Sequence, residues 1–351
     1  MIRRLLLLSL VAVGLAPGTF VRTPVILGFD VPITLSVVDE PGENPPTGWT
    51  LEGVWEFKGR GLLFGGYSAL LALEDGKMQA FSDRGGRFSF VQPDRDQGPA
   101  PLATRVLAEQ PVNDIYQMVL FDIESAARDP RTGQYWLGFE NTHAFQRYSA
   151  SGDEEGLRII HEEVEWAPNS GAEAMVRLSD GRFLVIPERI GQGDVTSALL
   201  YPRDPTNGEA PIEVLYTAPP GDFSVTDAAQ LPDGRIALLL RRVVWGLPPF
   251  EARIALADWP GSGDGEAESL SLSPQIALDL SAVAPPENYE GLAVRERSDG
   301  ALDLWVISDD NRGVTQRTLM VKLGFDPTFS SNAAAASKVE DKSQRHKKAR
   351  E

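Results

Sequence analysis

Short apolar runs separated by turn residues recur from about Gly65 to Phe325. Runs of five to eight residues rich in Val, Ile, Leu, Phe and Tyr, bounded by Asp-Gly or Thr-Gly pairs, predict strands joined as hairpins rather than helices. Before them, Val25 to Phe57 alternates loosely (Val31, Ile33, Leu35, Val37, then Leu51, Val54, Trp55) around the break Pro41-Gly42-Glu43-Asn44-Pro45-Pro46, which predicts two or three strands with an exposed turn.

The hairpin pattern is copied five times, with turns at Gly76, Gly133, Gly181, Gly234 and Gly300. The fifth copy, Asn288 to Arg312, shows the plan clearly: N-Y-E-G at one end, Asp299-Gly300 in the middle, S-D-D-N-R at the other. Seven residues after the turn glycine stand Asp83, Glu140, Glu188 and Arg241, and nine after it Asp309. Seven to ten residues before it stand Ser68, Glu124, Glu173, Asp227 and Glu290. Successive turn glycines are 57, 48, 53 and 66 residues apart, near the spacing of propeller blades with loop insertions. One hairpin cannot bury its own faces, but several packed radially can, so the expected fold is an all-β propeller. Five copies are visible. The N-terminal strands, with material from Val243 to Leu280, offer a sixth, and we expect six blades with one of them closed by strands from both termini.

Composition agrees with a turn-rich β protein: 33 Gly and 26 Pro in 351 residues, and 42% hydrophobic residues to supply a core. The absence of cysteine removes disulfides, thiol nucleophiles and thiolate metal sites. Net charge is −17, and the last twenty-one residues hold six Lys/Arg against three Asp/Glu, which leaves the remainder near −20. A body so acidic repels phosphate backbones, and nucleic acid is not an expected partner.

Two segments fall outside the pattern. Met1-Ile2-Arg3-Arg4 and the apolar run Leu5 to Leu15 fit a secretory signal over residues 1–18, predicting a periplasmic or secreted protein with no stable membrane insertion after cleavage. Residues 330–351 are polar, Ala-rich and basic and read as a disordered tail, which leaves 22–329 for the propeller.

A hairpin sets the start of its first strand beside the end of its second, so both acidic columns lie at the same end of every blade. In a propeller that end converges on one mouth of the central channel. Glu124, Glu173, Asp227 and Glu290, with Asp83, Glu140, Glu188, Asp309 and Asp310, then crowd a small area. Close carboxylates raise one another's pKa unless a counter-charge offsets them. Arg84, Arg189, Arg241, Arg242 and Arg312 can do so, as can Ca²⁺, which takes about 6–8 oxygen ligands. Only three histidines are present, and imidazole metal sites are poorly supported. A ring of structural salt bridges would look similar in sequence. The seven tryptophans are read as packing residues. No nucleophile elbow, zinc-protease helix or phosphate-binding glycine loop is found.

The motifs F-S-D-R-G (Phe81 to Gly85), F-D-I-E (Phe121 to Glu124), N-S-G-A-E-A (Asn169 to Ala174), P-E-R (Pro187 to Arg189), N-Y-E-G-L-A (Asn288 to Ala293) and S-D-D-N (Ser308 to Asn311) resemble the phytase-like family of "esterase-like activity of phytase" proteins. The chain departs from that pattern at Ser125, where the family usually has glycine. The resemblance implies a secreted propeller and a hydrolase of phosphate or other esters that uses Ca²⁺. On that reading Glu173, Glu290 and Asp309 are the catalytic candidates. Glu124, Glu173, Glu290, Asp309, Asp310 and Asn311 are the metal candidates, and Arg84, Arg189 and Arg312 would grip a small anionic or ester substrate. A lactonase-type hydrolase and a non-catalytic ligand-binding propeller remain as alternatives.

Overall fold

Five sheets, antiparallel but for one short edge strand, are arranged in a ring and make up the structure, a computed structural model. It describes residues 32–328 apart from 41, 96–102, 107–119, 121, 168–169, 189–194 and 261–269, together with Arg4 and Pro24. The signal segment apart from Arg4, the basic tail, Asn169 and Arg189 lie outside the described residues.

In chain order, β1 (Thr34–Val37) and β2 (Trp49–Lys58) come first. Blade 1 follows as β3 (Tyr67–Ala72), β4 (Lys77–Ser82), β5 (Gly86–Val91) and β6 (Ala103–Val106). Blade 2 is β7 (Ile123–Arg128), β8 (Tyr135–Phe139), β9 (Ala144–Tyr148) and β10 (Glu154–Ile159). Blade 3 is β11 (Ala172–Arg177), β12 (Phe183–Pro187), β13 (Val195–Tyr201) and β14 (Ile212–Thr217). Blade 4 contains β15 (Ser224–Gln230), β16 (Ile236–Val243) and β17 (Phe250–Ala257), after which β18 (Ser271–Leu272) turns back and pairs in parallel with β14. β19 (Gln275–Asp279) completes blade 4. The last strands are β20 (Tyr289–Glu296), β21 (Leu302–Ser308) and β22 (Thr318–Phe325).

The blade number is five, not six. Each hairpin copy makes one blade, and the material assigned to a sixth is used elsewhere. β1 and β2 pair onto β22, so the fifth sheet has the order β1-β2-β22-β21-β20 and is closed by both ends of the propeller. The stretch from Val243 to Leu280 supplies the outer strands of blade 4 and an edge strand of blade 3. Pairing with an existing edge satisfies the backbone donors of these segments without a new hydrophobic face. Closure by strands from both termini is as expected.

Five apolar clusters fill the five gaps between neighbouring blades. β21 shows why the strands read as continuous apolar runs: Leu302, Leu304 and Val306 face blade 4, while Trp305 and Ile307 face blade 1. Both sheet faces are buried, so alternation between apolar and polar is lost. All five turn glycines have φ between +73° and +93°, the left-handed region that a side chain disfavours.

Candidate functional site

The innermost strands β3, β7, β11, β15 and β20 pack side by side around the axis. Each carries a β-bulge at the same place near its start, at Ser68, Glu124, Glu173, Thr226 and Glu290. A bulge adds one residue against a single partner and re-aims its side chain. Five such bulges at one level place three carboxylates and two hydroxyls at the channel mouth. Beside them, where each second strand reaches the mouth, sit Asp83, Glu140, Glu188, Arg241 and Asp309; the amides of Asp83, Glu140, Glu188 and Asp309 donate to the carbonyls of Gly66, Asp122, Gly171 and Asn288.

In blade 4 the bulged residue is Thr226, and Asp227 points off the ring. Its Oδ2 accepts from the Leu292 amide at 2.7 Å and its Oδ1 from the Ala228 amide at 2.8 Å, so it ties blade 4 to blade 5. Thr226 stands eight residues before the turn glycine, as do Ser68 and Glu173, and that spacing is the sequence signal that separates it from Asp227. Both hydroxyls act as staples. Ser68 donates to the Ile123 carbonyl of blade 2, and Thr226 donates to the Tyr289 carbonyl of blade 5 at 3.2 Å.

The ring is electrostatically divided. On blades 2 and 3, carboxylate oxygens of Asp122, Glu124 and Glu140 lie within 4.8 Å of one another, as do those of Glu140, Glu173 and Glu188. Burial raises the pKa of all five, most for Glu124 and Glu173, and the neighbouring carboxylates Glu173 and Glu290 push Glu124 further. Glu140 is pushed up to about 7 by burial and by Asp122. On blades 4 and 5 a guanidinium supplies a counter-charge in direct contact. Arg241 Nη1 donates to Glu290 Oε1 at 2.6 Å and to Asn288 Oδ1 at 2.7 Å. Burial alone would lower its pKa, but Glu290, Glu173, Glu188 and Asp309 hold it above the usual range. Asp309 is buried, its pKa raised by desolvation and then by Glu290 and Asp83; Asn288 Nδ2 lies 3.5 Å from its Oδ2.

Of the residues singled out in the sequence, the structure brings together Glu124, Glu173, Glu290 and Asp309. To these it adds Asp122, which sits opposite Glu140 just before the bulge and belongs to no column of the repeat register. Asp310 and Asn311 are not part of the ring. Asp310 turns toward Thr318, whose hydroxyl donates to it at 3.2 Å, and lines a separate cleft of about 480 Å³ with Phe57, Phe64 and Arg60. The Asn311 amide donates to Asp309 Oδ1 at 2.6 Å and closes the turn that carries Asp310 outward. Arg84 and Arg312 meet at the rim between blades 5 and 1. Arg84 Nε is 3.6 Å from Asp83, and Arg312 donates to the Leu62 carbonyl. Arg84 Nη1 and Arg312 Nε are buried without a hydrogen-bond partner among the described residues. Burial and the proximity of Arg84 lower the Arg312 pKa.

Fold and site together define a five-bladed β-propeller with a carboxylate-lined channel mouth. A family model described as Phytase-like, esterase-like activity of phytase, matches residues 62–312, and the chain belongs to that family. Solved structures with a similar fold include three at low identity. The luciferin-regenerating enzyme is 10% identical at TM-score 0.42, over 83% of this chain and 95% of that one. The hemopexin fold protein CP4 from cow pea is 10% identical at TM-score 0.36, over 62% and 95%. The WD40 propeller domain of Doa1 is 14% identical at TM-score 0.35, over 81% and 99%. No curated protein matches the sequence.

Proposed function

We propose that the protein is a hydrolase of phosphate or other esters, working at the acidic channel mouth with a bound hard divalent cation, Ca²⁺ foremost. The observation that carries this reading is the pair of carboxylate triplets that share Glu140. The donor set fits such an ion, because it is all oxygen and without imidazole or thiol. None of its five carboxylates is in ion-pair contact with a basic side chain among the described residues, while Arg241, paired with Glu290, acts on Glu173 and Glu188 from farther off. Asp122, Glu124, Glu140, Glu173 and Glu188 would hold the cation, which supplies Lewis acidity and offsets the charge of an anionic substrate.

The remaining groups have separate tasks. Arg84 and Arg312 stand half-buried at the rim and would bind the oxygens of the ester's anionic group. Arg241 fixes Glu290 and Asn288 by hydrogen bonds, and Asn288 in turn reaches Asp309, so Glu290 and Asp309 form a held carboxyl pair beside the triplets that can take or give a proton. Export through the Met1 to Leu15 segment to the periplasm or beyond belongs to the same proposal. The test is calorimetric titration with calcium, followed by a screen of phosphate esters, carboxyl esters and lactones with and without chelator. Heat of binding and calcium-dependent turnover are expected. Full activity in excess chelator removes the metal role, and neither heat nor turnover indicates a binding propeller.

A further inference from the structure

In four blades the ring residue is the first residue beyond the second strand: Asp83 after β4, Glu140 after β8, Glu188 after β12 and Asp309 after β21. In blade 4 the ring residue Arg241 lies inside β16, which continues through Arg242 and Val243 and turns into β17 at Phe250. The hairpin stays paired to its end, with Arg242 opposite Glu251 and Val243 opposite Phe250, and the Val244 amide donates to the Pro249 carbonyl at 2.9 Å. It therefore rises roughly 10 Å beyond the ring, at about 3.3 Å per residue.

Side chains along a strand alternate between faces, and cross-strand partners share one. Arg241, Val243, Phe250 and Ala252 occupy the face that delivers Arg241 to the ring, while Arg242 and Glu251 pair on the other at 2.6 Å. The Phe250 ring lies 5.7 Å from the Arg241 guanidinium, so the wall of the hairpin begins at the ring itself. Above it the tip Val-Val-Trp-Gly-Leu-Pro-Pro-Phe, residues 243–250, carries no charge in a protein of net charge −17. Trp245 is 97% exposed, Leu247 75% and Val243 73%. The other six tryptophans are buried or partly buried, so Trp245 departs from the packing role expected of it.

We infer that the β16–β17 hairpin is the wall against which the apolar group of the substrate lies, so that the site takes esters joining an anionic head to an alkyl or aryl group rather than compact polyanions. This rests on the proposed ester hydrolysis at the ring. The occupant follows from continuity: one face joins Arg241, already bound to Glu290, to exposed apolar side chains directly above it. Charge argues the same way. The rim has two half-buried arginines, Arg84 and Arg312, enough for one anionic group, and the acidic body opposes an anionic lipid surface.

The test uses methylphosphonate and octylphosphonate as probes, titrated calorimetrically in calcium against the whole protein and against the double variant Trp245→Ala, Leu247→Ser. Both changes are at exposed positions that no core cluster contains. Each buried methylene strengthens binding severalfold when fully covered, so even a half-covered chain should make octylphosphonate bind at least about tenfold more tightly than methylphosphonate. The variant should reduce that ratio to about twofold. A ratio near one in the native protein, or a ratio the variant leaves unchanged, overturns the inference while binding of methylphosphonate keeps the ring reading intact. Retention of the native protein on phosphatidylcholine vesicles, lost in the variant with the ratio flat, assigns the tip to a membrane and also overturns it. Binding of neither phosphonate removes the ring reading, and this inference with it.

Discussion

Glu140 belongs to both carboxylate triplets, so Glu140→Gln makes the sharpest perturbation of the site, and the proposed cation predicts an effect that changes sign with calcium. In the metal-free protein Glu140 titrates at about 7 instead of its ordinary 4.5, because burial and Asp122 oppose its charge. A carboxyl whose folded pKa is raised contributes stability that is fully present below about 4.5 and lost as pH rises through about 7. The gap between those values sets an upper limit of about 3 kcal/mol, and because the side chain is only half-buried, solvent screening reduces it to about 1–2 kcal/mol. In chelator at pH 8, Glu140→Gln should therefore be more stable than the native protein by about 1–2 kcal/mol, and at pH 4.5 the two should be nearly equal. In calcium at one hundred times its dissociation constant the native protein should gain about 3 kcal/mol through the proposed cation site, whereas the variant, with both triplets broken, should gain less than about 1 kcal/mol. Urea unfolding followed by tryptophan fluorescence, at both pH values and with chelator or calcium, reads all of these quantities. A variant stabilised by calcium as much as the native protein, or less stable than it in chelator at pH 8, refutes the placement of the cation.

Two predictions concern the scaffold that aims the ring. Ser68→Ala and Thr226→Val each leave a neighbouring blade's carbonyl without its donor and should each lower the unfolding free energy by about 1–2 kcal/mol, adding in the double variant because they staple different interfaces; denaturant midpoints unmoved by either change would deny the staples any role. Gly66 has φ +70° and a Cβ there would overlap Asp83 Oδ1 and Arg84 Nη1, while Gly300 has φ +85° in open space. Gly66→Ala should therefore cost more than about 2 kcal/mol and weaken phosphonate binding, against about 1–2 kcal/mol and no binding effect for Gly300→Ala, by thermal unfolding and calorimetry.

Much of this was legible in the chain. The Asp-Gly and Thr-Gly turns, the hairpin register and the family motifs located five inner hairpins and the end at which their acids collect. Glu124, Glu173, Glu290 and Asp309 were found because a shared spacing from a turn is a local property, preserved when the hairpin forms. The bulges were not legible as such, since an extra residue against one partner becomes visible only through pairing. That is why Thr226 and Asp227 exchanged places, and why Asp122, one residue outside the strand, was quoted in a motif but not assigned to the site.

The sequence by itself determined the strand and turn pattern, the all-β propeller class and the acidic character of one mouth, because these follow from side-chain period, glycine conformation and charge along the chain. Tertiary structure alone decided that the strands from Val243 to Leu280 join existing sheets, making five blades. It also decided that Arg241 binds Glu290, that Asp122, Glu124, Glu140, Glu173 and Glu188 gather on blades 2 and 3, and that Asp310 faces away. The physical reason is that counter-charge, burial and edge pairing act between residues tens to hundreds of positions apart, and no local spacing encodes which blade supplies the partner.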